Sequence, residues 1–121
     1  MTNEKILLTN LLDKEDYKND FLKFIKTLLK EELLLPFYEN HIVYLYTDDE
    51  HKYIPLFTDE SQLKYIELEY TRLDKVKLKV IIEDIYDKKD FYAISINPGT
   101  HDFIMNEKII SIIKNYIKND K

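Results

Sequence analysis

One glycine serves the whole of this 121-residue chain, and it falls in the turn Asn97-Pro98-Gly99-Thr100. Proline at the second position pre-sets φ near −65°, and glycine at the third accepts the positive φ of a type II turn. Around that turn, Phe91 to Met105 reads as a strand, a reversal and a returning strand. Before it, Tyr92, Ile94 and Ile96 alternate with Phe91, Ala93 and Ser95, an almost wholly apolar run that suits a strand covered on both faces.

A single glycine also excludes much chemistry. A phosphate-cradling loop and a dinucleotide fingerprint both need several glycines to bring backbone against phosphate, and a G-x-S-x-G elbow needs two. Ser61, Ser95 and Ser111 therefore lack a nucleophile's setting. The absence of cysteine excludes disulfides and thiolate metal sites and fits a reducing cytoplasm. Met1-Thr2-Asn3-Glu4 lacks the basic start of a signal peptide. No apolar run approaches the ~20 residues that span a bilayer. The formal net charge of −5 gives no counterion-release gain on nucleic acid and suits a basic protein partner.

Periodicity then supplies the elements. Residues 3–12 predict a first helix, part of an N-terminal extension over 1–18, with the core of a single domain over 19–117. Asn19 or Asp20 can cap a second helix, in which Phe21, Phe24, Ile25, Leu28 and Leu29 follow the i, i+3, i+4, i+7, i+8 spacing of an inward stripe. Leu33 to Tyr38 contains Pro36, which predicts an edge strand or an extended lead-in. His41 to Thr47 and His51 to Phe57 predict a hairpin closed by Asp48-Asp49-Glu50, with Pro55 favouring an edge or a bulge.

From Asp59, with Gln62 as a capping-box partner, a helix is expected to carry Leu63, Ile66 and Tyr70 inward. Thr71 to Lys75 reads as a polar break. Val76 to Val80 alternates strictly and predicts a strand, followed by a short helix through Ile81, Ile82, Ile85 and Tyr86; one helix over 75–86 is the rival reading. Asn106 caps the last helix, with Met105 and Ile110 placed as a hydrophobic staple. The expected class is α+β: about five strands in an antiparallel or mixed sheet, with helices packed on one face.

Pro55-Leu56-Phe57-Thr58, followed by a short helix and an alternating strand and then by Ile96-Asn97-Pro98-Gly99, resembles the N-terminal domain of the SseB proteins. The likeness covers roughly residues 19–115 and marks Phe57, Thr58, Asn97, Pro98 and Gly99 as its signature positions. It implies a stand-alone module of interaction type and supplies no catalytic residue.

Each chemical candidate has a plainer reading. His41, His51 and His101 stand in no ligand spacing, and His101 beside Asp102 reads as a surface hydrogen bond. Asp48-Asp49-Glu50 lacks the order of a calcium loop, and Glu83, Asp84 and Asp87 read as a solvated helix face. Asn97 and Thr58 read as a turn bond and a helix cap.

No catalytic, metal or cofactor residue is therefore expected. Ten tyrosines are the informative excess: Tyr38, Tyr44, Tyr46 and Tyr53 gather on the hairpin beside Asp48, Asp49 and Glu50. Tyrosine joins apolar area to a polar tip, which suits both cross-strand packing and interfaces. The expectation is a non-catalytic cytoplasmic module that binds a protein partner there, with neither nucleic acid nor membrane. Alternatives are an immunity protein that neutralises a cationic toxin and a small enzyme with a site near Asn97, Thr58 and His101. Self-association through a sheet edge at 33–38 or 51–57 is compatible with the first.

Overall fold

The computed structural model describes residues 21–46, 50–87 and 91–119. The expected helix at 3–12, the caps Asn19 and Asp20, and Asp48 and Asp49 lie outside them.

Helix α1 (Phe21–Lys30) forms where the apolar spacing places it, with Phe24, Ile25 and Leu28 buried and Lys23 and Lys26 exposed. Strand β1 (Glu32–Tyr38) follows. It pairs antiparallel with β2 (His41–Ile42) on one side and, on the other, with β5 (Arg72–Lys77), from Glu32 opposite Lys77 to Phe37 opposite Arg72. A second sheet has the order β3 (Leu45–Tyr46), β4 (Lys52–Leu56), β6 (Ala93–Ile96), β7 (Phe103–Met105). Within it, β4 and β6 run parallel, and the other pairs antiparallel.

The fold is thus α+β, and the described residues hold seven strands in sheets of three and four where the sequence predicted a single sheet of about five. The two prolines supply the reason. One antiparallel bridge joins the sheets: Leu34 and Phe57 exchange both backbone hydrogen bonds, at 2.8 and 3.0 Å. In antiparallel pairing the next such exchange falls two residues on, which sets Pro36 opposite Pro55. Neither has an N–H to donate, so the pairing cannot continue. The sheet opens there, and residues 41–46 enter the gap, with β2 joining β1 and β3 joining β4.

The expected hairpin is therefore realised only as Leu45 opposite Tyr53 and Tyr46 opposite Lys52. Nor do the prolines mark edges. β1 is the central strand of its sheet, and β4 lies between β3 and β6, so 33–38 and 51–57 are interior strands where the sequence predicted edges. Pro36 is accommodated because alternate residues of β1 serve β5, while the Pro36 carbonyl accepts from Val43 N–H at 3.0 Å.

Two further elements depart from the periodicity. Asp59 caps a six-residue 3₁₀ helix, Glu60–Tyr65, by accepting from Ser61 N–H at 2.9 Å; Leu63 and Ile66 are only half-buried, and Tyr70 is exposed. Gln62 forms no capping box and instead accepts from the Thr100 hydroxyl at 2.5 Å. The polar stretch 71–75 becomes β5, an outermost strand whose exposed side tolerates Arg72 and Asp74 paired at 3.1 Å. The chain then winds from Leu78 into α2 (Leu78–Ile81) and a π turn (Ile82–Tyr86), burying Leu78, Ile81 and Ile82 together. The strict alternation through Val80 gives way because Val80 lies exposed.

Helix α3 (Glu107–Asn119) starts at Asn106, whose Oδ1 accepts from Ile109 N–H at 3.1 Å. Ile54, Leu56, Ile94, Ile96, Phe103 and Met105 form the inward rows of the four-stranded sheet. They share one core with Phe24, Ile25 and Leu28 of α1, Leu78 and Ile81 of α2, and Ile110 and Ile113 of α3. Phe24 meets Phe103 edge to face at 4.9 Å.

Candidate functional site

Parallel pairing of β4 with β6 sets Leu56 beside Ile96, so the residues just beyond each strand, Thr58 and Asn97, meet. Asn97 is fully buried at φ 52°, in the left-handed region. Its Oδ1 accepts from Thr58 N–H at 3.0 Å, and its Nδ2 donates to the Thr58 hydroxyl at 3.1 Å and to His101 Nδ1 at 2.9 Å. Because the Thr58 amide can only donate, the carboxamide orientation is fixed. His101 Nδ1 therefore accepts, and the ring proton sits on Nε2. The Asn97 amide donates to Leu56 O at 2.8 Å, and its carbonyl accepts from Thr100 and Asp102 at 3.0 and 2.8 Å.

All these groups are spent on one another. Among the described residues, no buried side-chain nitrogen or oxygen lacks a partner. The turn exists, but Gly99 does not take a positive φ; Asn97 does. Gly99 is needed for another reason: a β-carbon there would lie 2.7 Å from the Tyr65 carbonyl oxygen. Asp102 accepts from the Ser95 hydroxyl at 2.9 Å, so the buried serine is held by a carboxylate.

The open surface lies elsewhere. A cleft of about 530 Å³ is lined by Tyr46, Tyr86, Phe91 and Tyr92 with Glu50, His51, Lys52 and the first turn of α3. A second, of about 300 Å³, is lined by Phe37, Asn40, His41, Ile42 and Tyr44, and shares Lys52 and Phe91 with the first. The two adjoin across Lys52 and Phe91, and together they make an aromatic surface, the groove, over the segment that splits the sheets. His51 stacks flat on Tyr92 at 4.0 Å, Tyr53 meets Tyr92 edge-on at 5.6 Å, and Tyr44 contacts both Tyr46 and Phe91 at 6.2 Å. Tyr44, Tyr46 and Tyr92 are all exposed.

The structure brings Tyr44, Tyr46 and Glu50 to this groove, whereas Tyr53 touches Tyr92 but lines a separate cleft with Leu45, Ser95, Asp102 and Ile104. Tyr38, opposite His41 on β2, lines neither cleft. The sequence reading missed His51, Tyr86, Phe91 and Tyr92 as groove residues. Tyr92 arrives there because its amide donates to Lys52 O at 2.8 Å, a contact of the parallel β4–β6 pair that no local pattern announces. Thr58 borders a separate cleft of about 310 Å³ walled by Glu31, Glu32, Asp59 and Glu60 with Lys75.

Burial and the nearby Glu107 carboxylate raise the Tyr86 phenol above its ordinary value of 10.0, opposed by Lys114, which lies over the ring. The neutral phenol is the favoured form in the fold. Its contribution to stability is complete below pH 10 and is lost as pH rises through the elevated value. Ultraviolet titration should show a late phenolate that Tyr86→Phe removes; a variant with an unchanged late phase would refute this assignment.

Among the described residues, no group of three or more histidine, aspartate or glutamate side chains could hold a metal, and no helix is long and apolar enough to cross a membrane. Comparison with protein-family models, curated proteins and solved structures finds no match to this chain.

Proposed function

We propose that this chain is a non-catalytic, cytoplasmic protein-interaction module of the SseB N-terminal type, and that the aromatic groove is its binding surface. The supporting observation is the grouping of exposed Tyr44, Tyr46 and Tyr92 around two adjoining clefts. Tyrosine offers large, stiff, amphipathic area at low entropic cost and is enriched in binding hot spots. The Thr58–Asn97 lock supports the assignment from the other side: both signature side chains are buried and committed to each other, as parts of a scaffold are.

The full chain should retain one dominant partner from its source lysate. The triple change Tyr44→Ser, Tyr46→Ser, Tyr92→Ser should weaken that partner's affinity at least roughly tenfold, since a few interface aromatics carry most of the binding energy. These side chains are exposed, so thermal unfolding should move little. Equal retention by both proteins would overturn the proposal.

An immunity protein against a cationic toxin is a special case of the same reading. It is favoured by the net charge of −5 and by the acidic wall of the Thr58 cleft. A neighbouring toxin-like gene whose product binds the chain would select it.

A further inference from the structure

We infer that the larger cleft, beside the first turn of α3, receives an arginine side chain of the protein partner, an assignment that rests on the interaction reading above. Several exposed or half-buried rings of this protein hold cations. Lys52 lies over Tyr44 at 5.3 Å, Lys114 over Tyr86 at 6.0 Å, Lys64 over Tyr65 at 5.1 Å and Arg72 over Phe37 at 4.2 Å. Among the described residues, no cation lies over Tyr46 or Tyr92, although these are 59% and 48% exposed and line the cleft.

Two carboxylates, Glu50 and Glu107, share that wall. Glu50 sits there at φ 63°, a conformation that disfavours any residue with a β-carbon other than asparagine or aspartate. The fold thus holds a carboxylate at the cleft at the expense of local strain.

A flat aromatic face next to carboxylates selects a guanidinium, which stacks by its plane and presents a fork of N–H donors; an ammonium stacks less well and is more strongly hydrated. The stacked His51–Tyr92 pair stiffens the platform. Of the bordering lysines, Lys52 is drawn to the Tyr44 ring, and Lys108 opposes a cationic guest.

The guest is not an arginine of this sequence. This chain's single arginine, Arg72, is tied at home by Asp74 at 3.1 Å and the Glu39 carbonyl at 2.6 Å.

The test titrates N-acetylarginine methylamide, with the matching lysine and citrulline compounds, into the ¹⁵N-labelled full chain. Resonances of Tyr46, Glu50, His51, Tyr92 and Glu107 should shift saturably with the arginine compound and roughly fivefold more weakly with lysine, while neutral citrulline should leave them still. Glu50→Asn, which suits the backbone angle and so folds at least as well, should weaken arginine binding roughly threefold or more. Lys108→Gln should tighten it.

Citrulline binding as tightly as arginine, shifts centred on another surface, or Glu50→Asn binding unchanged would each overturn the inference. A dimer that the arginine compound dissociates would reassign the cleft to a second copy and overturn it as well. If the tyrosine triple variant loses its captured partner while the arginine compound leaves the cleft unmoved, the arginine assignment fails and the interaction reading stands. If capture ignores the tyrosines, the interaction reading itself fails.

Discussion

Asn97→Ala is expected to lower the free energy of unfolding by roughly 3 kcal/mol or more, because it leaves buried polar groups unsatisfied and forces a β-carbon residue into the left-handed region. The first loss is at Thr58, whose amide is buried and donates to Asn97 Oδ1 at 3.0 Å. Alanine removes that acceptor and admits nothing in its place. The second is at His101, whose Nδ1 loses the 2.9 Å donor that orients the ring. The third is the backbone: at φ 52°, asparagine is among the few residues with a β-carbon that fit without a large penalty.

Asn97→Gly separates these terms. It relieves the backbone penalty and leaves the orphaned groups, so it should be less harmful than alanine by roughly 1 kcal/mol. Urea denaturation of the two variants measures both. A cost below about 1 kcal/mol for alanine, or no advantage for glycine, would mean that the carboxamide does not join the two strand ends.

The parts of this fold that rest on local periodicity could be read directly. Phe24, Ile25 and Leu28 repeat at helical spacing, and the helix they mark is α1. Asn106 has the chemistry of a cap and accepts from Ile109 as a cap does. The continuous apolar run of β6 became a strand buried on both faces, from Ala93 to Ile96.

The parts that failed depend on which strand meets which. Pro36 and Pro55 each looked like an edge marker. Only the Leu34–Phe57 bridge reveals that continued pairing would set them opposite one another, with no N–H on either to carry it on. Residues 41–46 alternate as one strand would, yet their two ends belong to different sheets.

The alternation Val76-Lys77-Leu78-Lys79-Val80 favoured a strand, but the strand ends at Lys77, and Leu78 is buried in the following helix with Ile81 and Ile82 while Val80 is exposed. The groove was half legible because it too depends on which strand meets which. Tyr44 and Tyr46 lie close in sequence, whereas Tyr92 joins them through a parallel pairing made about forty residues later.

Gly99 carries the second large expectation, and it reverses the argument that the turn sequence invites. If the residue were glycine to permit a positive φ, asparagine would be the natural substitute and alanine would cost about 1 kcal/mol. Gly99 has no such φ. A β-carbon there would instead lie 2.7 Å from the carbonyl oxygen and 2.8 Å from the carbonyl carbon of Tyr65, and 3.1 Å from Ile66 Cβ. These are mostly backbone atoms at the end of the 3₁₀ helix, held in place by Ile66 N–H donating to Leu63 O and by Thr100 donating to Gln62. They cannot rotate aside as a side-chain tip would.

Gly99→Ala should therefore cost roughly 1–3 kcal/mol, the range for an overpacked contact. Gly99→Val should exceed it, and Gly99→Asn should be no milder than alanine. The damage should be local before it is global: hydrogen exchange at Tyr65 and Ile66 should accelerate in Gly99→Ala while amides of β6 stay protected. A well-tolerated Gly99→Asn would restore the conformational explanation. An alanine variant as stable as the parent would show that the turn and the 3₁₀ helix do not pack at the distance seen here, and with it the Thr100–Gln62 hydrogen bond would lose its place.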